Sequence, residues 1–436
     1  MSPVTTQNWR NWAGNQQASP HRVTTPRTTD EVAAAVRTAA ADGLTVRMTG
    51  TGHSFTGAAV ADGVLLRPGG LTAVRAVDTA TGLVTVEAGL PLHALNRLLD
   101  EHGLALANMG DIQEQTAAGA LQTATHGTGR DAAGLASQVA ALELVLADGT
   151  AVTCSPDERP ELFDAARAGV GALGIVTAVT WRTVPAFLLR AREEPMAWDE
   201  VLSRVDELDA ANEHFEFYWF PHTERCLTKR NNRVEGPAEP LSRFKGWLDD
   251  EFLSNTVFGA INHVTHRAPG TVPFVNGISA KALGARTFTD TSYKVFTSPR
   301  TVRFKEQEYA IPRDQLVPAL RDLRALYEKR GWRISFPIEV RMLPEEDAWL
   351  SMAYGRPTAF IAIHVFHRDP HEEYFQGVEE LMTAVGGRPH WGKMHTRDAA
   401  YLETVYPRLA DFRALRDELD PDRRFANAYT RQVFGD

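Results

Sequence analysis

The sequence predicts an α+β protein built from two domains and a shorter C-terminal segment. A chain of 436 residues is too long for one ordinary hydrophobic core. Up to Pro185 short apolar strands alternate with helices and glycine-rich turns, whereas aromatic strands and longer amphipathic helices follow it. We therefore expect a first domain at residues 1–185, a second at 186–380 and a C-terminal segment at 381–436.

The composition is typical of a soluble globular enzyme, with 43% apolar and 23% charged residues. A net charge of −9 argues against nucleic acid or an anionic membrane surface as the main partner. No apolar run reaches the roughly 20 residues of a membrane span, and residues 1–13 lack the apolar stretch of a signal peptide. We therefore expect a cytoplasmic protein with no membrane partner. Cys154 and Cys226 form no CxxC motif, which predicts free thiols in a reducing compartment.

The first domain is expected to open with a capped helix. Thr28 and Glu31 have the spacing of a capping box, the apolar residues that follow share one helix face, and Gly43 ends the helix. Pro91 is expected to begin a second helix with leucines on one face. Strands are predicted at 44–48, 64–66 and 84–88, a hairpin at 142–153, and a short helix around Phe163.

The turn that follows the strand at 44–48 is a candidate ligand site. Gly50 and Gly52 let backbone N–H groups approach an anion such as a pyrophosphate. The usual dinucleotide turn needs a third glycine where this chain has Phe55, so a nicotinamide cofactor is disfavoured. His53 lies inside the turn. Because a neutral imidazole nitrogen is a nucleophile, covalent attachment of a cofactor is one use for it there.

A second stretch, from Asn108 to Gly129, is rich in small residues and hydroxyl groups and carries little charge. Such a backbone can lie flat against a planar ligand, so we interpret the stretch as a second cradle. Glycines at 169–174 then lead into a strand, which indicates close contact with a ligand or with another backbone segment.

In the second domain the strand at 336–343 is the most informative element. Its apolar residues alternate with Glu339 and Arg341, which therefore share the face opposite the core. An ion pair on a solvated sheet face is the alternative interpretation. A neighbouring strand at 360–366 places His364 where it could border the same pocket. The other predicted elements are an aromatic strand at 215–219, a loop at 230–240 and a leucine-rich helix from Pro312.

The run at 388–395, RPHWGKMH, follows a pair of glycines. Lys393 in this run and Arg341 would supply two cations to a site that develops negative charge. A metal site is the rival interpretation for the histidines, because His367 and His371 have helix-like spacing. A proline lies between them and no HExxH motif occurs, so no metal is expected.

Together these motifs resemble one flavoprotein superfamily. The run GTGHS at 50–54 is similar to the flavin-attachment motif of the vanillyl-alcohol-oxidase (PCMH-type) flavoproteins. The AGA and THGTG runs and HWGK are similar to those of its aldonolactone oxidase and alditol oxidase group, which includes L-gulono-1,4-lactone oxidases. The resemblance implies an FAD-binding domain, an α+β substrate or cap domain, and a C-terminal segment packed back on the FAD domain.

The resemblance also implies that FAD is bonded through its 8α-methyl group to His53. No cysteine lies near Gly110 for a second bond. The cofactor contacts that the resemblance implies are Met48, Thr49, Gly50, Thr51, Gly52, His53, Ser54, Gly110, Thr116, Gly119, Ala120, Leu121, Gln122, Thr123, Ile175 and His390.

For the chemistry, the resemblance implies three catalytic residues, Glu339, Arg341 and Lys393. Asp111 stands where alditol oxidases have a serine, which indicates a different hydroxyl pattern, a cationic substrate, or an exposed carboxylate with no role in the site. Gly110 matches a place where a small residue lets oxygen reach the reduced flavin. The implied substrate-binding residues are Asp111, Glu339, Arg341, His364, Phe366 and Lys393.

We expect a covalent-FAD oxidase that transfers a hydride from an alcohol of a polyol, sugar or aldonolactone to flavin N5 and reduces O2 to H2O2. Its expected partners are these small molecules, and its expected state is a monomer or small homo-oligomer. The base is left open between Glu339, His364 and a water. Four alternatives remain: a same-fold dehydrogenase with a quinone or cytochrome acceptor, a tailoring oxidase of an amino sugar or natural product, a noncatalytic flavin carrier, and a metal hydrolase.

Overall fold

The computed structural model describes residues 8–436 apart from the Asp250 side chain, and this part of the chain forms five β-sheets and fourteen α-helices. The expectation that no signal peptide is present rests on residues 1–13, of which residues 1–7 lie outside the described part of the chain. The strands are β1 Trp9–Arg10, β2 Gln17–Ala18, β3 Arg22–Thr24, β4 Val46–Met48, β5 Val64–Leu66, β6 Val74–Asp78, β7 Leu83–Glu87, β8 Leu104–Ala105, β9 Val139–Val145, β10 Ala151–Cys154, β11 Ile175–Arg182, β12 Val184–Pro185, β13 Leu188–Ala197, β14 His214–Trp219, β15 Arg225–Val234, β16 Arg286–Thr291, β17 Phe304–Pro312, β18 Ile338–Leu343, β19 Thr358–Phe366 and β20 Arg388–Pro389.

A π-helix at Trp247–Val257 joins α6 to α7. The α-helices are α1 Thr29–Ala41, α2 Leu92–Glu101, α3 Ala117–Gln122, α4 Pro160–Ala166, α5 Trp198–Ala210, α6 Arg243–Gly246, α7 Phe258–Arg267, α8 Val272–Ala282, α9 Ser292–Phe296, α10 Leu316–Arg330, α11 Glu372–Ala384, α12 Ala399–Val405, α13 Leu409–Leu419 and α14 Ala428–Phe434.

Two sheets organise the first half of the chain. The strands β3, β5 and β4 form a parallel sheet, and β10, β9, β11, β7 and β6 form an antiparallel sheet in that order. The elements β4, β5, β7, α2, α4 and the β9–β10 hairpin lie where the sequence predicts them. The capping box is only half formed: Thr28 accepts the Glu31 N–H at 3.1 Å, but the Glu31 carboxylate accepts the Arg27 N–H instead.

The second half is built on an antiparallel eight-stranded sheet in the order β16-β13-β15-β14-β18-β19-β17-β20. One face packs its apolar side chains against α5, α10 and α11, and it includes the predicted aromatic residues Phe215, Phe217 and Trp219. Because side chains alternate along a strand, the other face carries the polar residues of the same strands. That face borders the candidate site.

The loop predicted at 230–240 is wrong in its first half. The strand β15 continues to Val234, because Arg230 and Asn231 pair with β13 on one side and with β14 on the other. A strand between two partners has its backbone hydrogen bonds satisfied whatever the polarity of its side chains.

The C-terminal segment contacts both halves. β20 joins the edge of the large sheet, and the Val46 N–H of β4 donates to Arg424 O at 2.8 Å. Asn427 Nδ2 donates to Gly57 O at 2.9 Å and to Val60 O at 2.8 Å. The last residues therefore hold the loop after β4, while the predicted domain boundaries stay a prediction.

None of the helices within residues 8–436 has the length and apolar character needed to cross a lipid bilayer. Cys154 and Cys226 are both buried and free, as the sequence predicts. Burial raises the pKa of the Cys154 thiol to about 12, so this thiol is protonated at neutral pH.

Candidate active site

A cleft in the first half of the chain spans about 860 Å³, including space that is open to solvent. Its walls come from three glycine-rich stretches, at 47–54, 115–123 and 170–176, together with residues between β4 and α2. Most of the side chains that line it are small or hydroxyl-bearing, so the backbone itself forms much of the wall. The lining residues are Trp9, Arg47, Met48, Thr49, Gly50, Thr51, Gly52, His53, Ser54, Ala58, Ala59, Pro68, Ala88, Gln115, Thr116, Ala118, Gly119, Gln122, Thr123, Val170, Gly171, Gly174, Ile175 and Val176.

Two glycines bring the walls of the cleft close together. A Cβ on Gly119 would lie 2.7 Å from Thr116 Oγ1 and 3.7 Å from the Gly50 Cα. A Cβ on Gly50 would lie 3.0 Å from the same hydroxyl. Gly52 has φ +80°, a backbone conformation that glycine adopts without strain. Glycine is needed at positions 50 and 119 because a side chain there would fill the space between the turn at 50–54 and the start of α3.

The cleft brings together most of the predicted cofactor contacts. Ala120 and Leu121 are exceptions, because they lie on the side of α3 that packs in the hydrophobic core. The side that lines the cleft carries positions 116, 118, 119, 122 and 123. Gly110 and His390 also lie outside the lining. The predicted contacts that line the cleft are Met48, Thr49, Gly50, Thr51, Gly52, His53, Ser54, Thr116, Gly119, Gln122, Thr123 and Ile175.

Arg47 is a cleft residue that the sequence did not single out. Its guanidinium donates to the carbonyl oxygens of Ala58, Val170, Gly171 and Phe425. Burial, with a smaller contribution from a neighbouring arginine, lowers its pKa to about 10, so the group stays charged at neutral pH. Arg47 therefore places a buried positive charge at the cleft and ties three backbone segments to it.

Gln115 is the second cleft residue that the sequence did not identify. Its Nε2 donates to Thr125 Oγ1 at 3.1 Å, but its Oε1 is buried and has no hydrogen-bond partner within the described residues. A buried polar atom without a partner is costly. The amide therefore offers an acceptor to a ligand in the cleft.

His53 lines the same cleft and is half buried. Its ring stacks on Trp12, with 5.7 Å between the ring centroids. Burial lowers the pKa of His53 below its usual value, so the imidazole is neutral at physiological pH. A neutral nitrogen in a cofactor cleft is the form that can act as a nucleophile.

A group of buried charges lies on the polar face of the large sheet. β14 and β18 pair so that Glu216 lies opposite Arg341, and Arg341 Nε donates to Glu216 Oε2 at 2.8 Å. Arg341 also pairs through Nη2 with Glu339. Lys229 of β15 lies 2.8 Å from the other oxygen of Glu216. Arg341 is thus held between two carboxylates, which fixes the direction of its guanidinium.

Asp111 reaches this group from the first domain. Its carboxylate lies 2.9 Å from Arg300 Nη2 and 3.8 Å from Arg341 Nη2. Although burial opposes ionisation, Arg300 and then Arg341 hold the pKa of Asp111 well below its usual range. Asp111 is therefore an ionised carboxylate whose charge is already balanced by two arginines.

A second group of charges centres on Lys393. Its Nζ lies 2.6 Å from Glu306 and 2.8 Å from Glu308, two residues that alternate along β17. Glu308 also accepts from His126 Nε2 at 2.9 Å, and Glu306 lies 3.2 Å from His364 Nε2. Alternation along one strand and the pairing of β17 with β19 place these groups on the same face.

The carboxylates of the two groups differ in the direction of their pKa shifts, because neighbouring cations outweigh burial at some of them and not at others. Burial raises the pKa of Glu339, and the nearby Arg341 offsets this only in part. For Glu306, burial is outweighed by the Lys393 ammonium and by His364, and the pKa falls to about 2. For Glu216, burial is outweighed by Lys229 and Arg341, and the pKa also falls to about 2. Glu339 is thus the carboxylate of these three that protonates most readily.

The charged groups border the cleft. Lys393 follows Gly392, and a Cβ on Gly392 would lie 3.2 Å from Ser54 Oγ and 3.3 Å from Thr123 Cβ, two cleft residues. The Phe55 N–H donates to Gly392 O at 2.7 Å. The turn that carries Lys393 is therefore packed against the glycine turns.

The remaining predicted residues lie around this border. A Cβ on Gly110 would lie 3.2 Å from His126 O, and buried His390, whose pKa burial lowers to about 3, lies beside the His126 ring. His364 lies against Phe304, but Phe366 packs on His263 and His266 of α7.

The sequence did not identify several members of the charged groups. A signal for two of them exists, since Glu306 and Glu308 are two positions apart in a strand and therefore share one face. One member that was not identified is Tyr218, whose hydroxyl donates to Glu216 Oε1 at 3.0 Å and to Glu339 Oε1 at 3.3 Å. The other members that were not identified are Glu216, Lys229, Arg300, Glu306, Glu308 and His126.

Three side chains near Lys393 have the geometry of a possible metal site. One ligand atom each from His126, Glu308 and His390 lies within 4.8 Å of the others. Glu308 is already bonded to Lys393 and His126, so its charge is balanced without a metal. No metal is proposed here, and the expectation of none stays a prediction.

The family comparisons agree with the division of the site. Residues 20–155 match the family described as FAD binding domain, and residues 179–433 match the family described as D-arabinono-1,4-lactone oxidase. The glycine-walled cleft lies mostly in the first match and the face of paired charges mostly in the second. Together with these matches they define an FAD-binding oxidoreductase. The chain belongs to the D-arabinono-1,4-lactone oxidase family, which confirms the resemblance inferred from its motifs.

Relatives of full length support this assignment. The chain is 41% identical to L-gulono-1,4-lactone dehydrogenase of Mycobacterium tuberculosis over 100% of both chains. It is 34% identical to L-gulonolactone oxidase of Bos taurus, over 98% of each, and 32% identical to alditol oxidase of a Streptomyces species, over 97% of this chain and 98% of the relative. Among solved structures, cholesterol oxidase from Brevibacterium sterolicum has the same fold, with a TM-score of 0.83 and 18% identity over 98% of this chain and 96% of the other.

The residues of the cleft fit FAD. Glycines at positions 50 and 119 leave room where a Cβ would meet the opposite wall. The buried Gln115 Oε1 has no partner among the described residues and can accept a hydrogen bond, and Arg47 adds a positive charge beside backbone N–H groups that can face a pyrophosphate. Glycine, alanine and threonine side chains form a wall against which a flat ring system can lie.

Proposed function

We propose that the chain oxidises an alcohol group of a polyol, sugar or aldonolactone. The observation that carries the proposal is the pair of buried residues Glu339 and Arg341 together with the half-buried Lys393, whose turn packs against the cofactor cleft. The lactone and alditol names of the relatives support the same substrate class. Substrates of this class present several hydroxyl groups, which suit a pocket lined with charged hydrogen-bonding groups.

FAD, when bound, supplies the hydride acceptor at ring N5. Glu339 and Arg341 would hold and orient the substrate hydroxyls through charge-assisted hydrogen bonds. Lys393 directs two of its three N–H donors to Glu306 and Glu308, which leaves a third for the reacting oxygen. Because these donors are fixed before substrate arrives, they can stabilise negative charge on that oxygen with little reorganisation.

We assign proton removal to Glu339. Its raised pKa brings this carboxyl closer to neutral pH, where a general base is most effective. His364 is the competing candidate, because its buried Nδ1 has no hydrogen-bond partner in the part of the chain that the structure describes. The acidic limb of the kcat/KM pH profile should disappear in Glu339→Gln and persist in His364→Gln. The opposite pair of results would transfer the role to His364.

The environment of Asp111 argues against an amino sugar as the substrate. Arg300 and Arg341 already balance its charge, so it has little attraction left for a substrate ammonium. Asp111→Asn should therefore leave the ratio of kcat/KM for a neutral sugar to that for its amino analogue nearly unchanged. A large selective loss on the amino analogue would restore the amino-sugar alternative.

We propose that FAD is bonded to the imidazole of His53. The neutral ring in the cleft, stacked on Trp12, supports this attachment. After denaturation in acid and gel electrophoresis, flavin fluorescence should move with the wild-type polypeptide and be lost in His53→Ala. His93→Ala, which changes a histidine outside the cleft lining, should keep it. Flavin that leaves the denatured wild type would refute the covalent bond without refuting the alcohol chemistry.

We propose oxygen as the electron acceptor, with H2O2 as its product. The support is the match of Gly110 to the place where a small residue lets oxygen reach the reduced flavin, and an added Cβ there would crowd His126 O and Thr125 Cγ2, both at 3.2 Å. Gly110→Ala should slow reoxidation in air while anaerobic reduction by substrate is retained.

A dehydrogenase is the second candidate, because the relative at 41% identity carries that name. Wild-type turnover that needs a quinone or cytochrome and yields no peroxide would establish it.

The central experiment is a peroxide and dye-reduction screen of the flavin-loaded protein. Xylitol, sorbitol, gulonolactone, galactonolactone, arabinonolactone and amino sugars are the substrates to compare. We expect turnover with lactones or alditols and its loss in a Glu339→Ala, Lys393→Ala double variant that still binds flavin. Activity that survives in the double variant would contradict the proposed site.

A further inference from the structure

The exposed apolar side chains of this protein are concentrated in one helical segment. Within residues 8–436, seven of the eight large hydrophobic side chains that are exposed belong to residues 243–282, which form α6, the π-helix, α7 and α8. The eighth is Val74, on the first domain. We call residues 243–282 the helical insert. Its exposed apolar side chains are Phe244, Trp247, Phe252, Leu253, Val264, Phe274 and Ile278.

The helical insert exposes large apolar side chains while it buries amides. Phe274 is 72% exposed, whereas Asn276 on the same helix is 2% exposed and Asn262 of α7 is fully buried. Asn276 Nδ2 donates to Pro221 O and Ile334 O, and Asn262 accepts from Ser335 Oγ at 2.6 Å. Val272 and Ala280 are buried as well, but seven large apolar side chains of the insert are exposed. Exposed rings concentrated in one segment mark an interaction surface.

Aromatic residues and cations occur together on the outward side. The Phe244, Trp247 and Phe252 rings lie next to one another, with centroid distances of 6.1 and 5.5 Å. Arg243 and Lys245 flank Phe244 and are exposed. On α8, Phe274, Ile278 and Lys281 recur at helical spacing. Apolar rings with neighbouring cations are typical of helices that lie in a membrane interface.

The charged residues of the helical insert favour an anionic lipid surface over a second copy of the chain as the partner of this face. Arg243, Lys245, Arg267 and Lys281 are exposed. The acidic residues of the insert are confined to positions 249–251, where Asp249 lies 3.7 Å from Arg286 and Glu251 is exposed. A second copy of the chain meeting this face symmetrically would bring like charges together. Anionic lipid headgroups complement the cations, and the acyl region accepts the rings. The net charge of −9 belongs to the whole chain and does not describe this face.

We propose that the helical insert docks the protein on an anionic lipid surface, with the rings of α6, the π-helix and α8 inserted among the lipids. The insert also holds the loop before β17, because Asn255 donates to Pro299 O and accepts from the Thr301 N–H. Arg300 between them pairs with Asp111. Docking would therefore place the Arg300 side of the active site next to the bilayer.

Flotation of the flavin-loaded protein with lipid vesicles tests the proposal. We expect flotation with vesicles of phosphatidylcholine and phosphatidylglycerol, little with phosphatidylcholine alone, and release by salt. Phe244→Ser with Phe274→Ser should lower partitioning roughly tenfold or more, and Arg243→Ala with Lys245→Ala should remove the preference for phosphatidylglycerol. Val74→Ser is the matched control and should float like the wild type.

Three outcomes would overturn the proposal. The first is a wild type that stays at the bottom of the gradient with every vesicle. The second is equal loss of flotation in the Val74→Ser control. The third is a concentration-dependent dimer, seen by light scattering, that the Phe244→Ser, Phe274→Ser variant dissolves while vesicles do not bind, because the face would then join two copies. None of these readouts depends on the proposed activity.

Discussion

Replacement of Lys393 by methionine is the sharpest test of the charged site. The change keeps the length of the side chain and removes the ammonium that lies 2.6 Å from Glu306 and 2.8 Å from Glu308. The Glu306 and Glu308 side chains are 9% and 1% exposed, so water cannot replace the lost partner. Removal of one member of a buried pair typically costs about 3–5 kcal/mol. At about 2–4 °C per kcal/mol, the value for a domain of roughly 200 residues, this corresponds to a Tm lower by roughly 6 to 20 °C.

The difference in Tm between the wild type and Lys393→Met should depend on pH. In the wild type, the net effect of burial, Lys393 and His364 is a Glu306 pKa of about 2, below its ordinary value of 4.5. Its contribution to stability is therefore present above pH 4.5 and is lost as the pH falls toward 2. In Lys393→Met the two carboxylates face each other without the cation, so their pKa values rise above the ordinary value. The deficit in Tm should then be large at pH 8 and shrink toward pH 5.

Differential scanning calorimetry of the flavin-loaded wild type and variant at several pH values measures this effect. Lys294→Met is the matched control, because Lys294 lies 3.3 Å from Asp290 with 49% of its side chain exposed, and a surface pair contributes at most about 1 kcal/mol. A Lys393→Met deficit that is no larger than that of Lys294→Met, or that grows as the pH falls, would refute the electrostatic account.

Three further predictions concern single positions. Glu216→Gln, which unbalances Arg341, should lower kcat/KM by about tenfold or more with flavin content unchanged, and an unaltered kcat/KM would contradict the role of this pair. Gly119→Ala should reduce the flavin absorbance per polypeptide, because its Cβ would lie 2.7 Å from a threonine hydroxyl, whereas Gly277→Ala, which meets no atom within 4 Å, should not. Asn427→Ala should lower stability by about 1–2 kcal/mol through loss of the cap of α14 and of the bonds to the loop after β4, and an unchanged Tm would contradict this.

The parts of the site that the sequence could predict are local in the chain. The turn with Gly50, Gly52 and His53 is recognisable because glycine and histidine there have few other uses, and the structure places all three in the cleft. Glu339 and Arg341 were placed on one face by strand alternation alone, and the structure pairs them. Local rules succeed where neighbours in sequence are neighbours in the site.

The parts that were not predicted depend on register between distant strands. Glu216 meets Arg341 only because β14 pairs with β18, and nothing near Glu216 in the sequence indicates that pairing. The same holds for Arg300, which reaches Asp111 across 189 positions of the chain. Ala120 and Leu121 show the related difficulty on a short helix, where the motif does not indicate which face meets the core.

Arg47 has a consequence for the order in which the protein matures. The hydrogen bonds of its guanidinium are complete only when Phe425 is in place, 378 positions later in the chain. The neighbouring Val46 N–H likewise has its acceptor, Arg424 O, only when the C-terminal segment has been made. Until synthesis nears its end, Arg47 lacks one of its four carbonyl acceptors next to the flavin cleft. Capture of the flavin should therefore follow release from the ribosome, and a chain that stops before Arg424 should emerge colourless.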